Sequence, residues 1–180
     1  MREYKLVFTG PMGVGKTTAI AAISEAPPIS TDVVNADTSV AKATTTVGLD
    51  FGQLTLDNGD RLRIYGTPGQ SRFDFMWQIL IRDALGLAIL LDNSRPKPLE
   101  DLDTYLDGFA AALKEMPCAI GVSRHDTHPS PSLDDYARAL QARGLVLPIV
   151  AVDLRSKDDV TSLIETLLMQ IEAIDAGAPL

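Results

Sequence analysis

Residues 10 to 18, Gly-Pro-Met-Gly-Val-Gly-Lys-Thr-Thr, combine small, cationic and hydroxylic side chains at a spacing suited to phosphate. Gly10, Gly15, Lys16 and Thr17 satisfy G-x-x-x-x-G-K-[ST], and each residue type has its reason. The glycines let the backbone curl so that successive N–H groups, across Met12, Gly13, Val14, Gly15 and Thr18, face a β-phosphate. Lys16 reaches the β and γ oxygens, and the Thr17 hydroxyl is a ligand for Mg²⁺. The flanks fit as well. Tyr4 to Thr9 reads as a short buried strand, and Thr17 to Glu25 carries the apolar residues of a helix whose N-terminus faces the phosphates. This stretch predicts nucleotide binding.

Further polar stretches follow other predicted strands or precede them. They are Thr44-Thr45-Thr46, Gly66-Thr67-Pro68-Gly69-Gln70, Ser123-Arg124-His125-Asp126 and Asp153-Leu154-Arg155. Strand-like runs at 4–9, 47–56, 61–65, 86–92, 118–122 and 147–152 alternate with helix-like stretches at 73–83, 98–116, 133–143 and 160–173. That alternation predicts a single α/β domain over residues 1–180, with helices on both faces of a mostly parallel six-stranded sheet. Asn58-Gly59 is the strongest hairpin signal and predicts one antiparallel pair at the edge. Pro27-Pro28 ends the first helix, and the Ser-, Thr- and Asp-rich stretch 29–46 reads as a long loop, of the kind that carries function. In a wound sheet the ligand sits beyond the carboxyl ends of the strands, where these polar stretches gather.

Composition removes several classes of function. Of 180 residues, 46% are hydrophobic and 22% charged, as in an ordinary globular domain. The formal net charge is −8 and no run of Lys or Arg occurs, so a nucleic-acid face is not expected. Cys118, the one cysteine, lies in an apolar run and reads as a buried thiol. His125 and His128 lie at no metal-ligand spacing with it and read as loop residues. No apolar run is long enough to cross a bilayer, and neither a signal peptide nor a lipidation pattern is visible. The expectation is a cytoplasmic protein with no membrane anchor of its own.

On these motifs the chain resembles the Ras-like small GTPase superfamily over nearly its whole length. Within it, the chain looks most like the prokaryotic branch around the MglA polarity GTPases. The resemblance implies a P-loop G domain that binds GTP and GDP with Mg²⁺. It places one threonine of the first switch, Thr46 by position, over the γ-phosphate and on the metal, with Thr44 and Thr45 as alternatives. In the second switch Gly69 offers its N–H to the γ-phosphate and Gln70 orients the attacking water. Asp126 would accept two hydrogen bonds from guanine, beside Ser123 and the stem of Arg124. Asp153-Leu154-Arg155 is placed like the segment whose backbone N–H meets the guanine O6.

Two departures stand out. Gly66 occupies the position of the aspartate that supports Mg²⁺ in most of the superfamily; MglA-type proteins lack it too. Metal support then falls to water or another carboxylate, with Asp50 the first candidate and Asp37 the second; Asp50 reads equally well as a solvated strand residue. Met12 crowds the space an arginine finger uses in Ras-type loops, which implies slow hydrolysis and a helper arriving by another route. Arg72 and Lys42 read as cations in cis or as plain surface charges. Phe75 or Met76 is expected to be exposed beside the second switch, suited to an effector. A Roadblock-type, MglB-like activator is the partner the resemblance implies. The alternatives are a catalytically degenerate nucleotide-binding interaction protein and a P-loop ATP-dependent phosphotransferase.

Overall fold

The computed structural model describes residues 2–30, 49–69 and 74–177. Thr44, Thr45, Thr46, Asp37, Lys42, Gln70 and Arg72 lie outside the described residues.

Strand β1 (Glu3–Thr9) sits at the centre of the sheet because its side chains are apolar on both faces. Leu6 and Phe8 enter one core layer and Val7 the other. It pairs in parallel with β4 (Arg61–Gly66) on one side and β5 (Gly86–Asp92) on the other. β5 is buried along its whole length, the pattern of a parallel strand covered on both faces. β6 (Cys118–Ser123) and β7 (Ile149–Ala151) extend that side, again in parallel. β3 (Asp50–Thr55) returns antiparallel beside β4 through the turn at Asn58-Gly59, where Gly59 takes φ +83°.

The six expected strands are present, and a two-residue strand, β2 (Ile29–Ser30), adds a second antiparallel pairing at the β3 edge. The order is β2-β3-β4-β1-β5-β6-β7. Helices α1 (Lys16–Ile23) and α5 (Lys157–Asp175) cover one face, with Ile20, Leu163 and Leu167 in the core. Helices α2 (Asp74–Leu80), α3 (Pro98–Gly108) and α4 (Leu133–Ala142) cover the other, around Trp77, Phe109 and Tyr136.

One helix is shorter than its periodicity predicts. The stripe Leu102, Leu106, Phe109, Leu113 suggests a helix to Met116, but α3 stops at Gly108 and resumes as a 3₁₀ turn at Ala112–Lys114. Its last residue, Gly108, is a weak helix former held to glycine by the Trp77 ring. A Cβ at Gly108 would lie 2.7 Å from Trp77 Cζ3. Trp77 also stacks on Tyr105 and Phe109, with ring centroids 4.9 and 5.4 Å away. Cys118 is buried as expected, and burial pushes its thiol pKa well up. No helix among the described residues is long and apolar enough to cross a membrane.

Candidate nucleotide site

The loop between β1 and α1 has the geometry its glycines foretell. Gly10, Gly13 and Gly15 take φ of +144°, +80° and +113°, a region costly for any residue with a Cβ. Gly10 has a second reason to be glycine, because a Cβ there would overlap the Leu90 carbonyl oxygen. Val14 is tucked into the core while Gly13 stays exposed. Lys16 is only 8% exposed. Its Nζ donates to the carbonyl oxygens of Gly10 at 2.7 Å and Pro11 at 3.0 Å. Burial lowers its pKa to about 8, although the charge of Asp50 pulls the other way. A buried ammonium held on two carbonyls, with no carboxylate bonded to it among the described residues, suits a phosphate.

Thr17 donates from its hydroxyl to Asp50 Oδ2 at 2.5 Å. Asp50 is 6% exposed, which rules out a solvated strand residue. Hydroxyl and carboxylate are hard oxygen donors, the kind that suits Mg²⁺. Among the described residues no group of three or more His, Cys, Asp or Glu could form a metal cage. Mg²⁺ bound with a nucleotide takes only one or two protein oxygens, the phosphates and waters supplying the rest.

The strand β4 leads straight to the loop. Thr9 and Thr67 share a hydroxyl hydrogen bond of 2.7 Å, and Thr67 N–H donates to the Phe8 carbonyl. Trp77 Nε1 donates to the Pro68 carbonyl at 2.9 Å, and the Tyr105 hydroxyl to that of Gly69 at 3.2 Å. Gly69 is thereby pressed onto the phosphate loop. A Cβ there would lie 2.5 Å from the Met12 nitrogen, so only glycine fits. Met12 projects outward, 65% exposed, beside this crossing.

A cavity of about 590 Å³ opens alongside. It is lined from the phosphate loop by Gly13, Val14, Gly15 and Thr18, and from the far strands by Ser123, Arg124, Asp126, Asp153 and Leu154. These residues lie far apart in sequence, yet the topology brings them to one rim. Tyr136 donates to Asn93 Oδ1 at 2.6 Å, and Asn93 Nδ2 donates to the carbonyls of His128 and Pro131, both at 2.8 Å. That clamp holds the loop after β6. Arg124 sits at φ +56° and its guanidinium pairs with the buried Asp92, which lies beside Ser123 in the sheet. Asp126 is exposed. Asp153 and Arg155 form an exposed pair that holds the Asp153 carboxyl down at about 2. Ser123 Oγ and His125 Nε2 are buried without a hydrogen-bond partner among the described residues, and both residues line the cavity. Such orphans mark a place for a polar ligand.

No protein-family model matches the chain. The chain is similar at low identity to several proteins, three of which follow. The intraflagellar transport protein 22 homolog of Danio rerio is 23% identical over 166 residues, covering 88% of this chain and 84% of that protein. RabC of Dictyostelium discoideum is 22% identical over 94% of this chain and 84% of its own length. Rab-8A of Gallus gallus is 32% identical over 57% of this chain and 46% of its own length. Its homologues are Rab- and Ras-like small GTPases. The sheet, its antiparallel edge and the five helices accordingly form a Ras-like P-loop domain.

Within that Ras-like frame, Gly10, Met12, Gly13, Val14, Gly15, Lys16, Thr17, Thr18 and Gly69 share one end, and Ser123, Arg124, Asp126, Asp153 and Leu154 flank it. Of the cavity residues, Thr127, Ala151, Val152 and Asp159 escaped the sequence reading of the site, and His125 was read only as a loop residue. His125 and Thr127 stand beside the expected aspartate, so adjacency was the available signal. Asp159 reaches back from α5 to accept from the Asp153 N–H at 2.8 Å, a contact across six residues that no local pattern announces. Phe75 is 59% exposed and Met76 half-buried, which settles which of the two faces outward.

Proposed function

We propose that residues 1–180 form one G domain, a guanine-nucleotide switch that hydrolyses GTP slowly to GDP and phosphate. The observation that carries this is the shared cavity: the phosphate loop and the Ser123–Asp126 and Asp153–Leu154 segments line one space. Lys16 and the loop amides bind the phosphates, with Thr17 and Thr46 holding Mg²⁺. Bound there, Mg²⁺ would neutralise charge on the β–γ bridging and γ oxygens. Gln70 orients the water for in-line attack, and Gly69 offers its N–H to the γ-phosphate. Asp126 selects guanine because its carboxylate accepts from the N1 and N2 donors, which adenine lacks at those positions.

The output is the arrangement of the loops near 30–46 and 66–78. Phe75, exposed on α2 at the end of the second of these, is the apolar contact an effector would read. The sequence Gly66-Thr67-Pro68-Gly69-Gln70, with no aspartate at 66 and a proline before the glycine, is the feature that favours an MglA-type protein in this reading. A Roadblock-type partner, MglB-like, is the expected activator, and the cytoplasm the expected compartment.

A single-turnover assay with γ-labelled GTP and Mg²⁺ tests the enzyme. Phosphate release on the order of 10⁻⁴ s⁻¹, the pace of an unassisted small GTPase, is expected, and a Roadblock-type partner should raise it. Tight GTP binding with no release, even with that partner, would make the chain a nucleotide-dependent interaction protein. Met12 over the loop and glycine at 66 are the features that favour that second reading.

A further inference from the structure

We propose that Asp92 and Asn93, at the carboxyl end of β5, are positioning residues that fix Asp126 at the base end and thereby set base selectivity. The proposal rests on the guanine-nucleotide reading above. Asp126 rides on the segment 124–131 between β6 and α4, and residues 126–130 of it are all exposed. Core packing does not shape such a segment, so its shape comes from polar ties. Ser123, at its root, contributes none from its side chain among the described residues. The ties come from the neighbouring strand instead.

Each end of the segment is held by one of these two consecutive residues. Asp92, 4% exposed, receives the Arg124 guanidinium on Oδ2, while its Oδ1 accepts from the N–H and hydroxyl of Ser94 at 2.8 and 2.6 Å. Held on its other oxygen, the carboxylate is fixed facing Arg124. Arg124 needs that hold, because it takes φ +56°, a conformation costly for a residue with a Cβ. Asn93, 3% exposed, gives both amide hydrogens to the far end, to the carbonyls of His128 and Pro131. Its Oδ1 accepts from the buried Tyr136 of α4, which sets the direction in which the amide faces. The Asn93 N–H donates to the Ser123 carbonyl at 3.1 Å, so the clamp is continuous with the β5–β6 ladder. Between the two anchors, the His128 N–H and the Thr127 hydroxyl both close back onto the Arg124 carbonyl, at 2.8 and 3.2 Å. Asp126 sits inside that closed turn. Its carboxylate meets a base only as accurately as the turn is held, since a hydrogen bond weakens steeply with misalignment. An exposed recognition group discriminates when buried neighbours fix its backbone.

Competition of GDP and IDP with fluorescent GDP for the full chain tests this. IDP lacks the exocyclic amine, one of the two donors Asp126 would accept from, and is otherwise the same ligand. In the unaltered chain GDP should bind about 10-fold tighter than IDP, the worth of one charged hydrogen bond. In N93A, which removes both ties to the far end, that ratio should fall below about 3-fold, half of the bond on a logarithmic scale. D92N keeps an acceptor for Ser94, releases the Arg124 charge and should lower the ratio likewise. A loss of stability alone cannot move the ratio, because both ligands compete for the same folded population. Y136F supplies that comparison, since it takes a buried hydrogen bond from the cluster but leaves the Asn93 donors on the loop. It should lower the melting temperature and keep the ratio. An unchanged ratio in folded N93A or D92N overturns the proposal, as does an equal fall in Y136F. If N93A does not fold, D92N decides alone. Failure of the unaltered chain to bind GDP, or equal binding of GDP and IDP by it, would instead refute the guanine reading, a separate result.

Discussion

The two ends of the cavity are built differently. At the phosphate end, glycines fix the backbone, Lys16 and Asp50 are buried, and Lys16, Thr17 and Asp50 are each held at short range by a neighbour. At the base end, Asp126 is exposed, and the charged side chains pair with each other, Arg124 with Asp92 and Arg155 with Asp153. Charged contacts in a dry setting are worth more than the same contacts in water. The contrast implies that affinity comes from the phosphate end and that the base end chooses among nucleotides already held.

Removing the central cation breaks the contrast most severely. Lys16→Ala loses two charged hydrogen bonds to phosphate, at about 1.5–3 kcal/mol each, so GDP affinity should fall roughly 10²–10⁴-fold. Equilibrium titration with fluorescent GDP measures it, and retained affinity would remove the phosphate loop from the binding site. Titrating the same lysine gives the next effect. Its pKa in the fold is about 8, against 10.5 for a free lysine, so between those values the unfolded chain binds more protons. The stability of the nucleotide-free protein should therefore rise with pH from about 8 to 10.5, by no more than about 3 kcal/mol. Denaturant unfolding should show that slope in the unaltered chain and not in Lys16→Met; equal slopes would place the lysine in water.

The base end should yield selectivity rather than affinity. Asp126→Asn turns an acceptor pair into a mixed one, shifting preference from guanine to xanthine by about 10–100-fold, the worth of one charged hydrogen bond. Competition between GDP and XDP reads it out, and an unchanged preference moves base recognition elsewhere. The smallest effect belongs to Arg155→Ala. Its pair with Asp153 is exposed, so the melting temperature of the free protein should not move measurably. A clear drop would show that the base end is as rigidly built as the phosphate end.

This division also explains how far the sequence alone reached. Sterics decide the phosphate end within nine residues, so Gly10, Gly15, Lys16 and Thr17 could be assigned from spacing. The Asn58-Gly59 turn likewise announced the antiparallel pair. For Asp50 the sequence left two readings open, metal support or a solvated strand residue, and its burial excludes the second. Its meaning depends on the register that sets it opposite Gly66 and on Gly52 letting α1 approach, neither of which is a local pattern. The glycine that ends α3, Gly108, is required by the Trp77 ring, a contact across about thirty residues that no local pattern shows. Ile29–Ser30 has too few residues for a period to show. At the base end, Asp159 joins the cavity only through the turn between β7 and α5, where helix capping by Ser156 dominates the local signal.

The most direct measurement is displacement of fluorescent GDP from the Mg²⁺-loaded protein by equal excesses of GTP and ATP. A guanine-nucleotide switch predicts displacement by GTP and none by ATP at the same concentration. Displacement by ATP as effective as by GTP would contradict it.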